Sequence, residues 1–412
     1  MFKKLILENQ QKILNLSLIE RNFDIWEILD VLQLNKIIAF LWPRRAWKTF
    51  LTFQVVKEFL RKNILQIEQL VYLDFSSLLD KDLDLNLLEE EYFSLFPDKK
   101  PFFVFDEIQE LNNFPEKLIW LLNKNYKIII TGSNAHLLSK EISTLLRGKV
   151  YTKEILPLDF KEYLKFKGIT YTSNEIILNK AKYKFEFINF LKWGGFPEIA
   201  LTDNEIVKEN ILKTYLDIMI YKDLQDRYCI KNDYALMFFI KRVLQAFWKE
   251  LNVNKIYNEL KSLNVKISKD SLYNFYEYLT NIYLIFPLLN YWAQVKWLKK
   301  TYLVDVAFAN FVWSEDFGRR FENFVYLTLR KKYKELFFMK KNYEIDFFVP
   351  KKNLYIQVVY QLDYENIERE TKNLLKQNGR KVLVYFDKEE NLVIPDWIEL
   401  VDFIEFVFWE KI

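Results

Sequence analysis

Along the first third of the chain, hydrophobic positions recur with two periods in turn, a short continuous run and then a helical stripe. Asn35–Leu41 (NKIIAFL) is an apolar run of strand length. Lys48–Leu60 (KTFLTFQVVKEFL) places Phe50, Leu51, Val55, Phe59 and Leu60 near one face of a helix. Leu70–Phe75 (LVYLDF) reads as a strand, Leu83–Phe96 as a helix, and Phe102–Phe105 as a buried strand ending in Asp106 and Glu107. A helix over Pro115–Asn123 then leads to a strand over Tyr126–Thr131 (YKIIIT). Strands and helices alternating at this spacing predict an α/β fold with a parallel sheet covered on both faces.

From about Asn174 to Ala246 the pattern is mostly helical, broken by Gly194, Gly195, Phe196 and Pro197. Asn252–Thr280 predicts two amphipathic helices separated by a short turn, capped by Asn252 and Ser268, a helix-turn-helix arrangement. Ile282–Pro287 and Thr301–Val304 are strand-like and would form its wing. Mixed α/β returns after that, with helices over Phe321–Lys332 and Ile367–Gln377 and extended segments over Tyr343–Val349, Leu354–Val359 and Lys381–Phe386. There is no repeat and no low-complexity linker.

Composition narrows the chemistry. A chain of 412 residues, 51% hydrophobic and 28% charged, describes a globular protein with room for several cores. No apolar run approaches the ~18 residues of a membrane helix. The opening MFKKLILENQQK turns polar too soon for a signal peptide, so a cytoplasmic protein with no membrane partner is expected. Cys229 is the single cysteine, which excludes an intrachain disulfide and a thiolate zinc cluster. His136 is the single histidine, so His-dependent triads and His-ligated metals have little to draw on, and the residue itself reads as an ordinary one following a strand. Catalysis would have to use carboxylates, Lys, Arg and hydroxyls. A net charge of +4 makes no bulk electrostatic case for nucleic acid.

Between the first strand and its helix lies Trp42-Pro43-Arg44-Arg45-Ala46-Trp47-Lys48-Thr49, the frame of a phosphate-binding loop. Such loops turn successive backbone N–H groups inward around phosphate at a helix N-terminus, and glycine supplies the positive φ and the close approach. In that frame Lys48 reaches the phosphates and the Thr49 hydroxyl binds magnesium. Tryptophan stands at both glycine positions. FFVFDE (Phe102–Glu107) has the form of a Walker B strand, with Asp106 for a magnesium ion and Glu107 to orient the attacking water. ITGSN (Ile130–Asn134) ends the next strand with groups that would sense the terminal phosphate, Asn134 ahead of Ser133. Taken in order, the three elements favour a nucleotide site over a chance pair of carboxylates at a strand end.

PRRxxKT, FDEIQ, TGSNAHLLSKEISTLLRGK and PLDFKEYLKFKG, in this order, resemble the bacterial and archaeal AAA-type ATPases that pair an AAA domain with a nuclease-like C-terminal domain of unknown function. The resemblance continues through KWGGFPE (Lys192–Glu198), IYKDLQDRYCIKN (Ile220–Asn232), FGRRFEN (Phe317–Asn323) and YEIDF (Tyr343–Phe347), so it covers nearly the whole chain. It implies ATP binding and hydrolysis with Mg²⁺, and glycine at positions 42, 47 and, ahead of the helix-turn-helix, 248. Arg147, in LLRGK, would be an arginine finger or sensor, or else a cap for the preceding helix. One of Arg44 and Arg45 would face phosphate or a neighbouring acidic residue, or else the two are a solvated or structural pair.

Three readings of the tryptophans compete. A degenerate loop would be a pseudo-ATPase, yet Lys48, Thr49, Asp106 and Glu107 all remain. A loop remodelled to stack a base on tryptophan fits poorly, because position 47 faces the phosphates. The third is UGA read as tryptophan in a chain whose own code reads it as glycine. Average usage of ~7% would give roughly 29 glycines, whereas the chain has 7 glycines against 11 tryptophans. Recoding accounts for the scarcity, the surplus and the substituted positions together.

The expected organisation is an AAA-type domain over 1–170, a helical region over 171–233, a winged-helix-like domain over 234–300 and a nuclease-like domain over 301–412. The second helix of the helix-turn-helix carries Lys269 against Asp270 and Glu277, so a protein partner is at least as well served as DNA. In the last domain Glu322 and Asp346 stand where a PD-(D/E)xK nuclease holds its metal. Gln357 and Val359 replace the further acidic residue and the lysine, which predicts a fold without cleavage activity and favours reading Glu322 and Asp346 as structural carboxylates around a β core. The expected protein is thus an ATP-driven switch if positions 42 and 47 are natively glycine, and a silent scaffold otherwise. A homo-oligomer is left open.

Overall fold

Strand β1 (Ile37–Leu41) is buried at every position, as a run without polar residues must be if it pairs on both edges and is covered on both faces. The protein is described by a computed structural model for residues 2–41, 48–78, 81–132, 145–292, 299–312, 316–410 and 412. It divides into two compact units, Met1–Leu156 and Pro157–Ile412.

In the first unit, α1 (Phe2–Asn15) and α2 (Ile25–Gln33) precede β1. They are followed by α3 (Lys48–Arg61), β2 (Leu70–Asp74), α4 (Leu85–Leu95), β3 (Phe102–Asp106), α5 (Phe114–Asn123), β4 (Lys127–Gly132) and β5 (Val150–Glu154). The five strands form one sheet in the order β2-β3-β4-β1-β5, with every pair parallel. The expected parallel sheet is therefore present. Along α3, Leu51, Phe53, Val55, Val56 and Phe59 pack into one core with Ile38, Phe40, Tyr72, Val104 and Ile129. Phe50 and Leu60, expected on the same stripe, are half-buried. Helix α4 begins after Asp84, whose carboxylate accepts from the Asn86 N–H at 2.9 Å, because an acidic cap satisfies donors that have no partner within the helix. Helix α1 is anchored by polar contacts, with Gln10 Nε2 donating to the Leu70 carbonyl and Asn9 Nδ2 to the Tyr72 carbonyl, at 2.9 and 2.8 Å.

The second unit opens with helices α6 (Phe160–Phe166), α7 (Ser173–Leu178), α8 (Lys180–Trp193), α9 (Pro197–Ala200) and α10 (Glu205–Ile218), the last continuing as a π-helix over Met219–Asp226. The break between α8 and α9 needs glycine. Gly194 has φ +75°, and a Cβ there would fall 1.7 Å from Asp305 Oδ1, while one on Gly195 would fall 2.2 Å from the Leu158 carbonyl oxygen. Helix α11 (Asp233–Gln245) precedes α12 (Val253–Ser262) and α13 (Lys269–Asn281). The two expected caps are made: Asn252 accepts from the Lys255 N–H and Ser268 from the Ser271 N–H, both at 3.0 Å. An antiparallel ribbon, β6 (Ile285–Leu289) with β7 (Lys299–Leu303), follows.

The remainder holds α14 (Phe317–Lys332), β8 (Phe337–Lys340), β9 (Glu344–Val349), β10 (Leu354–Leu362), α15 (Ile367–Leu375), β11 (Arg380–Lys388), β12 (Glu399–Asp402) and α16 (Phe403–Phe408). Its sheet runs β12-β11-β10-β9-β8, parallel from β10 to β12 and antiparallel from β8 to β10.

Trp248 occupies an unusual backbone position. Its φ is +72°, beside +74°, +68° and +75° at Gly148, Gly168 and Gly194, whereas the other non-glycine residues of positive φ lie between +45° and +61°. Its N–H donates to the Thr301 carbonyl at 2.5 Å, and its buried indole N–H has no hydrogen-bond acceptor among the described residues.

Candidate functional site

Parallel register brings the carboxyl ends of β1, β3 and β4 to one edge of the first sheet: Leu41 pairs with Gly132, and Phe105 with Ile130. In open α/β sheets that edge is where ligands bind. Asp106 closes β3 there and is only 3% exposed. Three hydroxyls converge on its carboxylate. Thr49, in the first turn of α3, donates to Oδ2 at 2.5 Å, and Tyr72 from β2 donates to the same oxygen at 3.1 Å. Thr131, fully buried on β4, donates to Oδ1.

Burial, reinforced by the Asp106 carboxylate, raises the Tyr72 phenol far above its ordinary value, so it stays a donor. Thr131 also works in the other direction, since its Oγ1 accepts the Glu107 N–H at 3.1 Å. One threonine thus fixes both acidic residues of the FDE sequence. Glu107 has left-handed backbone, φ +51°, which turns the chain away from the strand immediately after Asp106. Its carboxylate accepts from the Gln109 amide.

Of the residues expected from the sequence, Thr49, Asp106 and Glu107 are brought together. Trp42, Pro43, Arg44, Arg45, Ala46 and Trp47 lie outside the described residues, as do Ser133, Asn134 and His136. Lys48 is the first residue of α3. Arg147 is exposed in the turn leading into β5. Tyr72 and Thr131 were not singled out by sequence, and only the strand register reveals them.

The donor set has a definite chemistry. A threonine hydroxyl beside an aspartate carboxylate offers hard oxygen ligands of the kind magnesium selects, and few enough of them to leave positions for phosphate and water. Thr49 and Asp106 therefore fit a magnesium ion.

A family model described as an AAA domain matches residues 34–164, and one described as a domain of unknown function (DUF8612) matches residues 184–316. An uncharacterized protein of Methanocaldococcus jannaschii is 35% identical over 99% of this chain and 95% of its own length. An uncharacterized protein of Haemophilus influenzae is 30% identical over 86% of this chain and 92% of its own. Among solved structures, Caenorhabditis elegans PCH-2 is similar at 16% identity over 48% of this chain and 67% of that one, with a TM-score of 0.31, too loose a likeness to carry weight. Among the described residues no helix is long and apolar enough to cross a membrane. Identity of this degree over almost the whole length decides the matter: the chain belongs to one family with these archaeal and bacterial relatives, and its residues 34–164 match an AAA domain.

Proposed function

We propose that the protein is a P-loop ATPase that uses Mg²⁺-ATP to switch the state of its second unit. The observation that carries this reading is the Thr49 hydroxyl at 2.5 Å from Asp106 Oδ2, because it unites the last residue of the phosphate-loop frame with the Walker B aspartate from a strand two positions away in the sheet. Lys48 would hold the phosphates, Thr49 and Asp106 the magnesium ion, and Glu107 the attacking water, with Asn134 as sensor and Arg147 as arginine finger. Bound magnesium would offset charge on the phosphate oxygens. The chain's own part is positional. The hydroxyls of Tyr72 and Thr131 keep Asp106 aimed at the sheet edge, and the turn at Glu107 presents a second carboxylate beside it.

This reading requires glycine at positions 42 and 47, supplied by UGA read as glycine. Trp248 supports it independently of the loop. The family pattern predicts glycine there, the backbone has a glycine-like φ of +72°, and the indole N–H is buried without an acceptor among the described residues. Helices α12 and α13 with the β6–β7 ribbon are read as a winged-helix module for a protein or DNA partner. The C-terminal sheet is read as a nuclease-like module without cleavage activity.

The competing reading is a silent scaffold, favoured if the tryptophans are genuine. ATP binding by the chain as printed and by Trp42→Gly/Trp47→Gly decides between them. Negligible binding by the first and micromolar binding with hydrolysis by the second support the ATPase. A well-folded glycine variant that still ignores ATP establishes the scaffold. Separately, UGG codons at both positions would end the recoding argument.

A further inference from the structure

The second unit contains a buried charge cluster that the ATPase reading does not use. Lys300, on β7, has a side chain only 3% exposed, and its ammonium lies among three carboxylates. Glu322 from α14 is at 3.3 Å, Glu344 from β9 at 2.9 Å and Asp346, also from β9, at 3.0 Å. An ammonium has three N–H donors, so the three carboxylates use all of them. Two of these carboxylates accept a further hydrogen bond. Tyr302 donates to Glu322 Oε1 at 2.7 Å, and the Val358 N–H donates to Asp346 Oδ2 at 3.1 Å. Gln357, one residue earlier on β10, instead donates to Glu370 of α15 at 2.9 Å.

Glu322 and Asp346 are the acidic residues that, in a nuclease of this sequence type, would face a divalent ion. Divalent ions demand carboxylate oxygens at about 2.0–2.6 Å and several of them at once. Here the oxygens are spread around an ammonium at hydrogen-bond distance, with Glu344 partly exposed and also 3.5 Å from the Lys340 ammonium, and a second cation within ~3 Å of Lys300 would meet repulsion. Burial alone would lower the lysine, but Glu322, Asp346 and Glu344 together carry it above its ordinary value, so it remains a cation across the physiological range.

We propose that the Lys300 ammonium is the resident cation of the Glu322–Glu344–Asp346 cluster, placed where a divalent metal would otherwise sit, so that this cluster takes no metal ion. The lysine comes from a ribbon strand well upstream of α14 and β9 in sequence, and its charge ties these three elements together. In this arrangement the carboxylates serve assembly, and water activation has neither the ion nor a free base to draw on. The inference does not depend on ATP binding at the other unit.

The test compares divalent binding by the full chain. Mn²⁺ bound at millimolar concentration is counted by electron paramagnetic resonance for the wild type and for Asp346→Asn, both carrying Asp106→Asn to silence the first unit. Equal counts are expected. A bound ion that is lost with Asp346→Asn would overturn the proposal, as would Mn²⁺-dependent DNA cleavage abolished by Asp346→Ala. Lys300→Met keeps the aliphatic stem but removes the charge, leaving carboxylates to repel one another. In the same Asp106→Asn background its melting temperature should fall by several degrees without metal and recover by a comparable amount in Mn²⁺, with no shift when Lys300 is retained. A folded Lys300→Met that ignores Mn²⁺ refutes the idea. If that variant does not fold under either condition, the wild-type count alone decides.

Discussion

Thr131→Val separates a polar network from simple packing around Asp106. Valine has nearly the shape of threonine, so the substitution keeps every methyl contact of a fully buried side chain. What it removes is the donation to Asp106 Oδ1 and the acceptor for the Glu107 N–H. A hydrogen bond to a charged group contributes about 1.5–3 kcal/mol and a neutral one about 1 kcal/mol, so the expected loss is about 2–4 kcal/mol. Thr131→Ser keeps both hydrogen bonds and deletes one buried methyl, costing about 1 kcal/mol. Urea unfolding of both variants gives the order directly. Valine should be the more destabilising, and in the Trp42→Gly/Trp47→Gly background it should lower kcat at least tenfold with little change in KM, while serine retains most activity. Serine proving as costly as valine, or costlier, would show that Thr131 merely fills space and would refute the network.

Four further outcomes follow from the same structure. Trp248→Gly should be more stable than Trp248→Ala by about 1 kcal/mol in thermal melts, since both remove the indole but only alanine keeps a Cβ at φ +72°; equal stability would mean that the backbone there relaxes freely. Asn252→Ala and Ser268→Ala should each cost about 1 kcal/mol through lost caps, measured by urea unfolding against Asn252→Asp and Ser268→Asp controls. Burial pushes the Asp305 carboxyl up to about 6 against two backbone N–H donors, Gly195 and Ala307, and the Arg320 charge. A raised carboxyl stabilises the fold fully below its unfolded value and loses that contribution as pH rises through about 6, so about 3 kcal/mol should disappear between pH 4 and 7. Asp305→Asn should flatten that part of the urea-stability profile, and a wild type that gains stability relative to it over this range would contradict the sign.

Much of the first unit was legible because its strands are short runs with no polar interruption, bounded by turns. β5 escaped notice because VYTKE is a half-exposed edge strand with little apolar content, and an edge strand need not announce itself. Helix α1 was missed for a related reason: Gln10 occupies a buried position and is satisfied by a strand carbonyl, so the apolar stripe has a gap. At the site, Thr49 and Asp106 were legible because their chemistry fixes their spacing from a strand and a helix start. Tyr72 and Thr131 were not, since which side chain meets Asp106 depends on the register between strands far apart in sequence. Lys300 was still less visible, because KKTYL offers adjacent lysines and nothing local says which one enters the interior.

Strand β1 has an implication for biosynthesis. Its two neighbours arrive late, Ile38 pairing with Ile129 and Ile37 with Val150. While the ribosome is still making the intervening helices, the sticky IIAFL segment has no lateral partner. Pairings this distant form slowly and leave nascent chains exposed to aggregation. The first sheet is therefore a late product of translation, completed only after the fifth strand has cleared the exit tunnel, and chaperone demand should peak before that moment.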